Sequence, residues 1–145
     1  MKIMDMTVQD LESVTDLARQ LGYPNSQAEI RSRFLEIQNQ GQYALFVAKS
    51  ETEQVLGWLQ VNVEPISLVV GPRAEIAALV VDEKCRGQNI GKALLRYAEK
   101  WALEKKISLV RLRSNLKRHD AHRFYQREGY EISKVSNVFT KNIGG

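Results

Sequence analysis

The chain has 145 residues, 43% hydrophobic and 26% charged, an ordinary globular balance with enough apolar material for a core. Its formal charge of +4, from 21 Lys and Arg against 17 Asp and Glu, is too small to mark a nucleic-acid binder, and no basic recognition helix or stacked-aromatic platform accompanies it. A single cysteine, Cys85, excludes an internal disulfide and a cysteine-based metal cluster, and no apolar run approaches the ~18 residues of a membrane span.

The first residues lack the charged start and apolar centre of a leader peptide. The expectation is therefore one domain over residues 1–145, cytoplasmic, with neither a membrane nor a nucleic acid as partner. Lys2 to Met6 reads as a short strand. Thr7 followed by Asp10 is a capping-box start for a helix bearing Leu11, Val14, Leu17 and Leu21, which Gly22 and Pro24 stop. Ser26 and Glu29 repeat the start signal, and Ile30, Phe34 and Ile37 give a second helix its buried stripe before Gly41.

Tyr43 to Lys49 and Val55 to Glu64 read as an antiparallel pair of strands joined by a polar turn, Ser50 to Gln54. Pro65, Gly71 and Pro72 mark the next loop. Glu75 to Val81 is an almost unbroken apolar strand, and a helix follows from Gly91 with Leu94, Leu95, Ala98, Trp101 and Ala102 on one stripe. Ile107 to Arg113 then returns parallel through that helical crossover. Asp120 is placed to cap a closing helix that Gly129 ends, and two short strands around Tyr130 to Lys134 and Val138 to Lys141 complete an α/β sheet. Trp58 and Trp101 sit at core-like spacing.

Between the apolar strand and its helix lies Arg86-Gly87-Gln88-Asn89-Ile90-Gly91-Lys92. A helix start presents backbone N–H groups without intrahelical acceptors and the positive end of the dipole, so this loop reads as a cradle for a pyrophosphate. Gly87 and Gly91 keep side chains clear, Asn89 tolerates a left-handed backbone, and Arg86 and Lys92 add charge. A nucleoside-triphosphate loop would need four residues before the Gly-Lys pair and a hydroxyl after it, whereas three precede it here and Ala93 follows. A dinucleotide fingerprint fails too, since the next strand ends in basic and polar residues rather than an acid.

Arg86, Asn89 and Gly91 resemble the signature of the GCN5-related N-acetyltransferase (GNAT) family: Arg or Gln, two residues, Gly, one residue, Gly or Ala, with Asn here replacing the middle Gly. Ala121 to Tyr130 is similar to the family's closing helix with its Phe-Tyr pair and Gly-aromatic exit, and the resemblance spans Asp10 to Lys141. Leu21 to Pro24 and Val55 to Trp58 look like small bacterial members. The resemblance implies a mixed, mostly antiparallel sheet flanked by helices, with acetyl-CoA as cosubstrate and no metal. It also implies direct transfer, in a ternary complex, to a primary amine of a small molecule.

By the same resemblance, Arg86 to Lys92 hold the pyrophosphate. Backbone groups of Leu79, Val80 and Val81 hold the acyl carbonyl and pantetheine arm, and Tyr125 is the general acid. Glu75, eleven residues before Arg86, is the general base of histone-type members, and burial on its strand would make the carboxylate a better base; a structural ion pair with Arg73 or another basic residue is the alternative. Many members carry an asparagine seven residues before the tyrosine; this chain has Arg118 there, and Asn115 just upstream is the replacement.

Cys85, flanked by Lys84 and Arg86, has no histidine visibly paired with it for an acyl-cysteine intermediate, and His119 and His122 lack the further ligands of a metal site. A homodimer follows by family analogy alone. Two alternatives stay open: a non-catalytic acyl-CoA-binding regulatory module, motivated by Asn89 and Arg118, and a protein N-terminal or lysine acetyltransferase.

Overall fold

Strands rich in Val, Ile, Leu and aromatic residues pair because each offers an apolar face that only a neighbouring layer can cover. In the computed structural model, which describes residues 1–114 and 116–144, β1 (Lys2–Asp5), β2 (Tyr43–Lys49), β3 (Val55–Val63), β4 (Ala74–Val81) and β5 (Val110–Leu112) lie in that order across one sheet. The first four pair antiparallel, and β5 joins β4 in parallel through the crossover helix α3 (Ile90–Glu104). The chain clusters into two compact units, Met1–Arg113 and Ser114–Gly145.

The register assigns each face of the sheet in the first unit. Met4, Val47, Trp58 and Val80 stand opposite one another on one face. They join Leu11, Val14, Leu17 and Ala18 of α1 (Leu11–Gln20) and Phe34 of α2 (Gln27–Ile37) in one apolar cluster. The other face carries Phe46, Leu59, Val61 and Ile76, with Leu94, Leu95, Ala98 and Ala102 of α3 buried as its partner layer. Leu59, Leu94 and Leu95 are fully buried, and each such side chain contributes about 1.5–3 kcal/mol of transfer free energy.

The helix starts form where the capping residues predict. Ser26 Oγ accepts from the Glu29 N–H at 3.1 Å while Glu29 accepts from the Ser26 N–H at 2.9 Å. At Thr7, whose N–H reaches Asp10 Oδ2 at 2.8 Å, the box opens a short 3-10 turn (Val8–Asp10) before α1 begins. Asp10 is buried and pairs with Lys49 Nζ at 2.9 Å, tying that turn to β2.

Three expectations need correction. The returning strand is limited to the three residues that pair with β4, Val110–Leu112, rather than Ile107 to Arg113. Helix α4 (His119–Arg127) begins one residue before Asp120, with Arg118 at the N-cap, and Asp120 sits in the first turn as an ion-pair partner of Arg123. The two terminal strands do not form: residues 131–144 carry no ladder and are exposed, Phe139 to 91%. Alternating apolar residues create only the option of a strand, and the element needs a partner's backbone to satisfy its own.

Candidate functional site

The decisive local feature is an extra residue in β4. Gln60 pairs with Ala78 and Val61 with Ile76, so Ala77 is a bulge, and it is exposed. Ala74 donates its N–H to Leu109 O on the β5 side at 3.0 Å, whereas Asp82 donates to Leu56 O on the β3 side at 2.8 Å. N–H groups alternate sides along a regular strand, so two even-numbered residues would point the same way; the bulge reverses the alternation. The N–H groups of Leu79 and Val81 therefore point to the β5 side, and β5 pairs only with Ala74 to Ile76. Beyond Ile76 that edge of β4 has no strand partner among the described residues. Val80 instead directs its N–H toward β3 and its side chain into the core, 2% exposed.

The strand runs directly into the predicted loop. Asp82 caps the short turn Glu83–Cys85, accepting from the Lys84 N–H at 3.0 Å, and the turn is tied to α1 by Glu83 N–H to Gln20 Oε1 at 3.2 Å. Gly87 has φ +84° and Asn89 φ +62°, both left-handed. Asn89 is the N-cap of α3 and makes no side-chain cap bond. The first N–H to close within the helix is that of Ala93, to Asn89 O at 3.0 Å. The N–H groups of Ile90, Gly91 and Lys92 precede it and have no intrahelical acceptor. Arg86, Gln88 and Lys92 are exposed, while the Ile90 side chain is a core anchor, 2% exposed. The loop thus presents uncapped donors to solvent on a fixed base, which is the geometry that receives a phosphate oxygen.

On the α1–α2 face, the apolar cluster stops before the strands do. Tyr43, Asn62, Glu75 and Arg111 stand opposite one another across β2 to β5, with Gln60 on the same face of β3 and Glu64 just past its end. Glu75 Oε1 lies 3.7 Å from Arg111 Nη2 and 3.6 Å from Arg113 Nε. Its ion-pair neighbours are these two arginines, because Arg73 is taken by Glu64, Nε to Oε2 at 2.6 Å. Arg111 also donates to Glu64. Burial alone would raise the Glu64 carboxyl, but the hydrogen bonds and charges of Arg73 and Arg111 outweigh it and hold the group below the ordinary carboxylate range. A separate groove of about 490 Å³, lined in part by Ile37, Gln38, Tyr43 and Trp101, contains none of the loop residues.

In the second unit Tyr125 lies on α4, half-buried, its ring 5.3 Å from that of Phe124 and 6.3 Å from that of Tyr130. Asn115 lies outside the described residues. His119 and His122 pack edge to face, and no group of metal-ligating side chains exists among the described residues. No described helix is long and apolar enough to cross a membrane.

Glu64, Asn62, Arg111 and Arg113 were not singled out from the sequence. A signal was there: Gln60, Asn62 and Glu64 put a polar residue at every second position at the end of an apolar strand, which marks a sheet face leaving its core.

A family model described as the acetyltransferase (GNAT) family matches residues 11–130. A stretch of 69 residues is 52% identical to the aminoalkylphosphonate N-acetyltransferase of Salmonella typhimurium, covering 48% of this chain and 44% of that protein. The chain spans about half the length of the curated relatives it matches, 44% and 54% of them. Among solved structures, a transcriptional regulator from Bacillus halodurans is 29% identical, with TM-score 0.84 and coverage of 97% of this chain and 99% of that one. An aminoglycoside 6'-N-acetyltransferase from Acinetobacter baumannii superposes with TM-score 0.86 over 99% of each chain at 20% identity, a likeness of fold.

Proposed function

The chain belongs to the acetyltransferase (GNAT) family, and from that premise we propose that residues 1–145 work as one N-acetyltransferase domain. It moves the acetyl group of acetyl-CoA to a primary amine of a small molecule, directly and in a ternary complex. The observation that carries the reading is the continuity of two sets of outward backbone donors: the Leu79 and Val81 N–H groups on the unpaired edge of β4, and the uncapped N–H groups that open α3.

The residues fit acetyl-CoA as cosubstrate. Residues Arg86 to Lys92 hold the pyrophosphate, with Arg86 and Lys92 supplying charge. The edge of β4 around Leu79, Val80 and Val81 holds the pantetheine arm and stabilises the carbonyl oxygen as charge develops there. The amine nitrogen attacks the carbonyl carbon, the C–N bond forms, and the C–S bond breaks. Glu75 takes the proton the amine loses, through water, and Tyr125 returns one to the departing thiolate. Relatives named for aminoalkylphosphonates and for aminoglycosides support a small-molecule amine. A regulatory acyl-CoA-binding role is the second reading, favoured by the 29%-identical transcriptional regulator.

Calorimetric titration of acetyl-CoA, compared with Gly91→Glu, tests the reading. Micromolar binding to wild type, lost when a carboxylate enters the loop, together with amine-dependent thiol release, is expected. Absence of binding to wild type overturns both readings, and binding without thiol release across a broad amine panel leaves the regulatory one.

A further inference from the structure

We infer that the acceptor is a short zwitterion, an amine that carries its own carboxylate or phosphonate, and that Arg113 seats the anion. The inference rests on the acetyl-transfer reading above and names the substrate class of the same site.

Three guanidiniums, Arg73, Arg111 and Arg113, face two carboxylates, Glu64 and Glu75, so the cluster holds one positive charge in excess. The arginines are not equivalent. Arg73 and Arg111 both donate to Glu64, which fixes them on the sheet. Arg111 Nε, by contrast, is buried with no hydrogen-bond partner. Arg113 is different again: its side chain is 67% exposed, it meets Glu75 only at 3.6 Å, and it makes no hydrogen bond among the described residues. Its fork of donors is therefore available to an oxyanion in bidentate geometry.

The excess charge also selects. A diamine or polyamine would add a second cation beside three arginines, whereas an aminoalkyl anion neutralises the surplus and leaves its amine to face Glu75. Glu75 Oε1 and Arg113 Nε lie 3.6 Å apart, so an anion on Arg113 and an amine one water away from Glu75 are joined by a short spacer. Two or three carbons between them suffice, as in 2-aminoethylphosphonate or β-alanine. A carboxylate and a phosphonate both present paired oxygens and negative charge to the fork, and parallel turnover of the two amines distinguishes them.

The test uses the full chain with acetyl-CoA and follows thiol release from 2-aminoethylphosphonate, β-alanine, ethanolamine and 1,3-diaminopropane. At least one anionic amine should exceed the neutral and dicationic ones by about tenfold or more in kcat/KM. Arg113→Ala should raise KM for that amine by a similar factor and KM for ethanolamine severalfold less, and Arg113→Lys should restore part of the loss. Equal or better turnover of the diamine overturns the inference and leaves acetyl transfer intact; so does an Arg113→Ala variant impaired equally on every amine. If no amine is acetylated, titration with methylphosphonate decides. Binding weakened by Arg113→Ala keeps the anion site while the transfer reading falls, and absence of binding removes both.

Discussion

The two faces of the sheet are built from the same strands and are used differently. Under α3 the face stays apolar, through Phe46, Leu59, Val61 and Ile76, against a stripe of buried leucines and alanines. Under α1 and α2 it is apolar only from Met4 to Val80, and then gives way to Tyr43, Asn62, Glu75 and Arg111. A helix that covers its face fully has no room for chemistry along its length, so α3 offers function only at its start, through uncapped N–H groups and the charge of Lys92. Where α1 and α2 stop, side chains stand on rigid strands with water at hand. On the proposed reading the divided face supplies the base and the charges, and the uniform face supplies a fixed platform for the phosphate loop.

The largest expected effect separates chemistry from stability on the divided face. Glu75→Gln should lower kcat by about 10²–10³-fold, the usual contribution of a general base, with acetyl-CoA affinity unchanged. Its arginines lie at 3.6 and 3.7 Å, beyond hydrogen-bond reach, so Tm should move little. A drop of many degrees with only a severalfold loss of kcat would make Glu75 a structural member of the cluster and undo the division of labour. On the uniform face, Gly57 is the tightest point: a Cβ there would lie 2.8 Å from Val80 O and 3.3 Å from both Ile90 Cγ2 and Leu94 Cδ1. Gly57→Ala should therefore cost about 1–3 kcal/mol, read from denaturant midpoints. An unchanged midpoint would show slack between α3 and the sheet.

Glu64 tests whether the arginine frame is a pH-dependent element. Its folded pKa lies below the ordinary value, so its stabilisation is complete above the unfolded carboxylate value, ~4.3, and is lost as pH falls through the lower folded value. Glu64→Gln should lose about 1–2 kcal/mol at pH 7 and show a shallower acid limb, with wild type and variant converging as pH falls through the lowered folded value in urea titrations. Parallel limbs would place the wild-type acid sensitivity elsewhere.

Much of this was legible because local chemistry and tertiary role agreed. The capping box at Ser26 and Glu29, the stripe of α3 and the left-handed Asn89 are decided within a few residues, and each is where periodicity puts it. The bulge at Ala77 left no such trace, since alanine carries no turn or bulge signature and the bulge exists only in the pairing of β4 with β3. Glu64 and Arg111 are distant in sequence and become partners because β3, β4 and β5 are adjacent. The same dependence on pairing misled the reading of Tyr130 to Lys141, where alternation was present and a ladder was not.

The smallest effect asks whether Asn89 acts through its backbone alone. Asn89 holds φ 62° and ψ 20° at the helix start, without a side-chain cap bond. If only its conformation matters, Asn89→Gly should match wild type in acetyl-CoA affinity and lie within about 0.5 kcal/mol in stability, because glycine enters this region freely. Asn89→Ala should lose about 1 kcal/mol, the penalty of a Cβ in a left-handed residue, and should bind acetyl-CoA more weakly as the strained loop shifts its N–H groups. Loss of binding in the glycine variant would instead make the Asn89 side chain itself a ligand. The α3 side would then contribute a specific hydrogen-bonding side chain as well as a platform and charge, and the contrast between the two faces would narrow to the strands alone.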